Sequence, residues 1–280
     1  MTLLYACVAP HASEAIEQLA TPTTSNKFQK TRDGLRRIAK EVGRANPETI
    51  VIATPHNLRL WKKIGIITAE NSTGTLRTSP RSKAYVSLGV RCDVDFANKL
   101  LLRSTLRNLP VVGANYGTNE GISSDVPMDW GTLVPLWFMM RRCRNKPKVV
   151  IVTPSREIPL SKNFEFGRII ADQAEAERSK RIVFVASADQ AHAHRKNGPY
   201  GFSKRAEEYD SFVLKAIREN QIGRIMGLKA DFVESAKPDS LWQMAMLAGV
   251  ADRIRLQAEL ISYEAPTYFG MICASFRRTP

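Results

Sequence analysis

Four short apolar runs, residues 3–8, 49–53, 148–152 and 181–186, each end in a turn: Ala-Pro-His, Thr-Pro-His, Thr-Pro-Ser and Ser-Ala-Asp. Continuous apolar runs of this length bounded by turn signals read as buried strands. Between them lie amphipathic stretches. Residues 27–44 carry Leu35, Ile38, Ala39 and Val42 at helical spacing, and residues 203–219 carry Phe212, Val213, Leu214, Ala216 and Ile217; such stripes predict helices with one buried face. The alternation predicts an α/β fold with a central, largely parallel sheet flanked by helices, whose ligands gather beyond the carboxyl ends of the strands. No Pro-, Gly- or Ser-rich linker divides the chain, and the echo of VIATPH in VIVTPS is too short to indicate duplication. A single domain over residues 1–280 is expected.

Composition narrows the class. At 280 residues, 44% apolar and 24% charged, the chain is ordinary globular material near the upper size of one core, which excludes disorder, collagen and coiled coil. No run approaches the roughly 18–20 apolar residues of a membrane span. The start, MTLLYACVAPHASEAI, lacks a basic n-region and a small-residue cleavage site and reads as strand then turn, so a soluble, cytoplasmic chain is expected. Cys7, Cys92, Cys143 and Cys273 show no C-x-x-C spacing and are expected as reduced thiols. The net charge of +14 favours anionic partners. The basic residues are scattered, without interleaved aromatics or a zinc-finger or RNP signature, which disfavours nucleic acid. The segment 113–121 matches neither the dinucleotide nor the NTP fingerprint and reads as a loop.

The four histidines, His11, His56, His192 and His194, each follow a predicted strand by a few residues, where an α/β sheet presents side chains to its crevice. Pro10-His11 and Pro55-His56 close the first two strands, each proline holding the preceding residue extended. Two imidazoles and one carboxylate on a common face are the arrangement that binds non-haem Fe(II) and leaves positions for substrate and dioxygen. A third, acidic ligand is then required. The alternative is that each histidine only caps its turn.

With PHAS, NPETIVIATPHN, PMDWGTLVPLWFM, VFVASADQAHAH and KPDSLWQMAMLAGV in this order, the chain resembles the class III extradiol ring-cleavage dioxygenases of the catalytic-subunit type (LigB-like superfamily) over most of its length. The resemblance implies that His11 and His56 bind iron and that the third ligand is an acidic residue at the start of a late helix. Asp239 stands there, with Glu234 as competitor; Asp239 could equally be an N-cap. It also implies an acid/base histidine after a Ser-Gly-Asp-like segment, which Ser187-Ala-Asp-Gln-Ala-His192 matches. An imidazole titrating near neutrality suits that role. His194 is then a neighbouring catalytic or substrate-contacting residue. One departure stands out: relatives carry D-H-G-x-x-x-P-L where this chain has Asp129-Trp130-Gly131, and Trp130 cannot accept a proton. Trp130 and Trp137 are expected in the core, with stacking on an aromatic ligand as the alternative.

The activity so implied is Fe(II)-dependent extradiol cleavage, with O2, of a small aromatic substrate, a catechol or o-aminophenol. A carboxylated ring would suit Arg59, Arg195 and Lys196 near the proposed loops. The resemblance further implies a homodimer and leaves open a small accessory subunit. The alternatives are a Memo-like metal-binding or interaction protein of the same fold without dioxygenase activity, a zinc-dependent hydrolase, and a basic nucleic-acid-associated protein.

Overall fold

The computed structural model describes residues 2–21, 24, 26–79 and 82–279. Its elements are β1 (Leu3–Ala9), α1 (Gln29–Ala45), β2 (Thr49–Ala53), β3 (Ile64–Ile67), β4 (Asn71–Arg77), β5 (Tyr85–Arg91), α2 (Val94–Leu106), β6 (Val111–Ala114), β7 (Asp125–Pro127), α3 (Trp130–Met140), β8 (Lys148–Thr153), α4 (Leu160–Ala176), β9 (Ile182–Ser187), α5 (Lys204–Arg218), α6 (Ala230–Ala236), α7 (Leu241–Arg253), β10 (Leu256–Glu264) and β11 (Met271–Arg278). The four apolar runs are β1, β2, β8 and β9, and the two amphipathic stretches are α1 and α5.

These four strands are buried on both faces because both faces are covered. Val8, Val51, Val152 and Phe184 point into a layer with residues of α2, α4, α5 and α7, such as Phe96, Phe166, Val213 and Met246. Cys7, Ile50, Ile151 and Val185 point the other way, against Leu35 and Ile38 of α1 and Leu133 and Leu136 of α3. The eight-stranded sheet runs β10-β11-β1-β9-β2-β8-β3-β6. Its centre, β1-β9-β2-β8, is parallel; β11 joins β1, and β3 joins β8, antiparallel. A separate three-stranded sheet, β5-β4-β7, lies outside the expected architecture.

Register puts the strand ends side by side. Ala9 pairs with Ser187 and Ala53 with Ala186, so the turns after β1, β9 and β2 leave the sheet at one level. Opposite them α7 is clamped to α4 by close backbone approach. A Cβ on Gly167 would stand 2.0 Å from the Met246 carbonyl oxygen, and one on Gly249 2.0 Å from that of Phe164. Among the described residues no helix is long and apolar enough to cross a membrane. Cys7, Cys92 and Cys273 are buried and Cys143 half-buried, all as free thiols.

Candidate metal centre

His11, 2% exposed, stands two residues beyond β1. Its backbone N–H donates to Asp189 Oδ1 at 3.0 Å, and its Nδ1 lies 2.9 Å from Ser187 Oγ. The Ser187 hydroxyl donates its one proton to the Gly131 carbonyl, so toward His11 it can only accept. In the neutral ring Nδ1 therefore carries the hydrogen and Nε2 presents a lone pair, the tautomer a ligating histidine needs.

His56 comes from the turn after β2 and meets His11 edge to face, with ring centroids 4.8 Å apart at 89°. Asp239 comes from the turn before α7. Lys237, in the left-handed region with φ 54°, ends α6, and the Asp239 N–H donates to the Gln190 carbonyl at 3.3 Å. The residue capping α7 is Ser240, so the Asp239 carboxylate is not used as a helix cap. Its Oδ1 is paired with the Arg156 guanidinium. Its buried Oδ2 has no hydrogen-bond partner among the described residues, although His11 Nε2 and His56 Nε2 stand 3.2 and 3.0 Å away. The two ring nitrogens are 3.1 Å apart.

Three lone-pair atoms held this close suit a common cation better than one another. Ligands about 90° apart at about 2.1 Å from an ion stand about 3.0 Å from each other, whereas a tetrahedral pair stands about 3.4 Å apart. The observed edges fall in this range, and His11, His56 and Asp239 form a cluster fit to hold a metal. The electrostatics agree. Burial disfavours the charged His11 ring, yet the neighbouring carboxylates of Asp189 and Asp239 raise its pKa to about 9, so positive charge is favoured at this point. Burial likewise opposes the Asp239 carboxylate, and the His11 and His56 rings overcome it and hold the group well below its usual range. Burial pushes the Asp189 carboxyl up.

His192 faces the same place. Its Nδ1–H donates to the Gln190 carbonyl at 2.8 Å, which leaves Nε2 as the basic atom. The ring is stacked on Phe269, with centroids 5.2 Å apart, and burial lowers its pKa despite the opposing carboxylates of Asp189 and Asp239. The shift favours the neutral imidazole, and Nε2 is the atom left to accept a proton. A cavity of about 350 Å³ joins His192 to His56 and Asp239, with Arg59, Arg156 and Tyr200 also on its wall.

Other expected residues lie elsewhere. Glu234 is not brought to the cluster: its side chain is 78% exposed and pairs with Lys237, because it lies on the outer side of α6, before the Lys237 turn. His194 turns away from His192 and bonds through Nε2 to the buried Asp210 at 2.9 Å. Arg195 holds the Thr267 and Pro266 carbonyls, and neither it nor Lys196 lines the cavity. Trp130 is not in the core: it is 45% exposed and stacks on His56 with centroids 4.2 Å apart. Trp137 is half-buried under the Arg141 guanidinium, 3.7 Å from the ring centroid. Sequence reasoning assigns no site role to Ser187, Asp189 or Arg156. Ser187 and Asp189 lie in the segment that points to His192, but their contacts with His11, like that of Arg156 with Asp239, join residues far apart in sequence and are not marked locally.

Over residues 5–273 the chain matches the family described as the catalytic LigB subunit of aromatic ring-opening dioxygenase. The chain belongs to this family. The LigB family is metal-dependent, and the His11, His56 and Asp239 cluster is a possible metal site of this member. A Clostridium acetobutylicum protein is 25% identical over 240 residues, which are 85% of this chain. The chain spans half the length of that curated relative. Among solved structures, an uncharacterized protein from Escherichia coli K12 has the same fold at a TM-score of 0.59, with 15% identity over 97% of this chain and 99% of that one.

Proposed function

We propose that this LigB-family protein is a non-haem Fe(II)-dependent extradiol dioxygenase that opens the ring of a catechol or o-aminophenol with O2. The observation that carries the reading is the convergence of His11 Nε2, His56 Nε2 and the otherwise unpartnered Asp239 Oδ2 at the end of a cavity into which His192 also faces. His11, His56 and Asp239 would hold the iron. When bound, it supplies the redox chemistry and binding positions for both substrate heteroatoms and O2.

The remaining work falls to the protein. His192 Nε2 takes a proton from the ring hydroxyl as substrate binds, the Nδ1–H bond to Gln190 fixing the acceptor atom, and returns it later as acid. The charges of Asp189 and Asp239 favour the transient imidazolium. Arg156 keeps Asp239 Oδ1 occupied so that Oδ2 alone faces the ligand point. Arg59 on the cavity wall is paired with Glu157 at 2.8 Å, and a carboxylate on the ring would share its guanidinium. His192 carries both proton steps, since Trp130 occupies the place of the second histidine.

The specific observation behind the Memo-like alternative is that Trp130, stacked on His56, brings no proton-transferring group to the site. Anaerobic purification and iron loading, followed by oxygen uptake with protocatechuate, gallate, homoprotocatechuate and 2-aminophenol, separates the two. Uptake with yellow ring-opened product, abolished in His11→Ala, is the expected result. Stoichiometric metal without uptake on any of these would replace the dioxygenase reading with the Memo-like one.

A further inference from the structure

Beside the polar cavity lies a second one of about 510 Å³, and the two share the wall formed by His56, Asn57 and Leu58. The second differs in chemistry. Trp130, Tyr116, Leu76, Val126 and Met128 line it, and Asp129 is its one charged side chain among the described lining residues. That carboxylate is already occupied. Oδ1 accepts from the Thr54 hydroxyl at 2.7 Å and the Thr132 N–H at 3.0 Å, and Oδ2 from the Thr132 hydroxyl at 2.6 Å and Asn57 Nδ2 at 3.2 Å. The amide of Asn115 is likewise spent, its oxygen on the Tyr116 N–H and its nitrogen on the Thr118 carbonyl. Thr75 is bonded to Ser87. What remains to meet a ligand is mainly apolar and aromatic surface, with Trp130 and Tyr116 45% and 65% exposed and their indole N–H and hydroxyl as its polar edge.

We propose that this second cavity holds an uncharged aromatic arm of the substrate, whose two-heteroatom head sits at the His11, His56 and Asp239 cluster. The inference rests on the dioxygenase reading for the head and adds the substrate class: a catechol or o-aminophenol carrying an aryl substituent away from the reacting edge. Three features support it. The two cavities are adjacent, since His56, Asn57 and Leu58 line both, so a substrate held at the cluster needs only to reach past His56 to enter the second. Asp129, Asn115 and Thr75 are already hydrogen-bonded and put no free charge into the cavity, and an apolar ring leaves those bonds intact. Trp130 and Tyr116 present aromatic surface on which a flat arm can stack.

The test is anaerobic calorimetry of catechol and of 4-phenylcatechol against the iron-loaded chain, in the wild type, in Thr75→Trp, which fills the cavity from an exposed position of β4, and in Tyr116→Ala, which removes one wall. The read quantity is the ratio of the two affinities within each protein, with a melting curve to show that each variant is folded. In the wild type the phenyl compound binds about ten- to a hundredfold more tightly. That advantage falls toward unity in the folded Thr75→Trp variant and shrinks in Tyr116→Ala. A wild-type ratio near one, a ratio unmoved by Thr75→Trp, or binding of neither compound overturns the proposal. Admission of air then separates the two readings. A Thr75-sensitive advantage without cleavage of either compound leaves the arm site standing and removes the dioxygenase assignment. Cleavage of catechol without a phenyl advantage does the reverse.

Discussion

Replacing Ser187 with alanine removes one oxygen and disturbs the metal site through a ring that Ser187 only orients. Ser187 is fully buried, and its Oγ links His11 Nδ1, 2.9 Å away, to the Gly131 carbonyl. In the variant a buried N–H and a buried C=O each lose their partner, for a combined cost of about 2 kcal/mol and a fall in melting temperature of about 4 °C for a chain of this size. The second effect is on the ion. With Nδ1 no longer held as a donor, His11 can place its proton on Nε2, and losses of about 10- to 100-fold in metal affinity follow from removing such an orienting partner. That range corresponds to about 1.4–2.7 kcal/mol. Ser275→Ala is the matched control, since Ser275 is equally buried and its Oγ has no partner among the described residues. The assay is anaerobic titration with Fe(II) or Co(II) against a competing chelator, alongside thermal unfolding. Wild-type metal affinity in Ser187→Ala, or an equal loss in Ser275→Ala, would refute the reasoning.

Three further outcomes are expected. Asp239→Ala loses metal binding by at least about 100-fold, whereas Glu234→Ala, at an exposed surface pair, binds as the wild type does; the same chelator titration reads both. Asp93, the cap of α2, titrates below the ordinary carboxylate range: burial raises its pKa, but hydrogen bonds from Thr49 and Lys180 lower it further. Its contribution, about 2 kcal/mol, is thus complete above about pH 4 and is lost as the pH falls through the depressed folded value. Denaturant melts should therefore show wild type and Asp93→Asn far apart at neutral pH and converging in acid; a constant gap would contradict this. Gly249→Ala, which drives a methyl into the Phe164 carbonyl, destabilises by about 2 kcal/mol or more through forced separation of α4 and α7, and an unchanged melting curve would show that these helices do not touch as described.

What the sequence disclosed follows from how locally each feature is encoded. β1, β2, β8 and β9 are buried on both faces, so all but a few of their terminal positions (Thr49, Lys148, Thr153, Ser187) are apolar and the runs stand out. Pro10-His11 and Pro55-His56 mark where two of them end. β4, NSTGTLR, has one large apolar residue, Leu76, so its alternation of burial is not written in its side chains; β5, YVSLGVR, does alternate Val86, Leu88 and Val90, a two-residue period that a search for continuous apolar runs passes over; β3 is only Ile64–Ile67, too short to show a period. Asp239 and Glu234 are five residues apart and equally acidic, and the backbone turn at Lys237 separates them. Trp130 sits in an apolar segment that reads as core, but at the first turn of α3 it reaches the rim of the molecule and the face of His56. Ser187 and Asp189 act only through the pairing of β1 with β9, which no local window contains.

The atoms of the cluster come from positions far apart in sequence. His11 follows a strand wedged between β9 and β11, and Asp239 is supplied more than two hundred residues later. No single element can assemble the cluster, so ion capture waits until β1, β2, β9 and the turn before α7 have come together. In the proposed iron centre, metal supply at that moment weighs alongside ligand type and geometry in deciding which ion is captured. Once seated, it adds to the cohesion of the whole fold, by about 2.7 kcal/mol at a hundredfold excess over its dissociation constant.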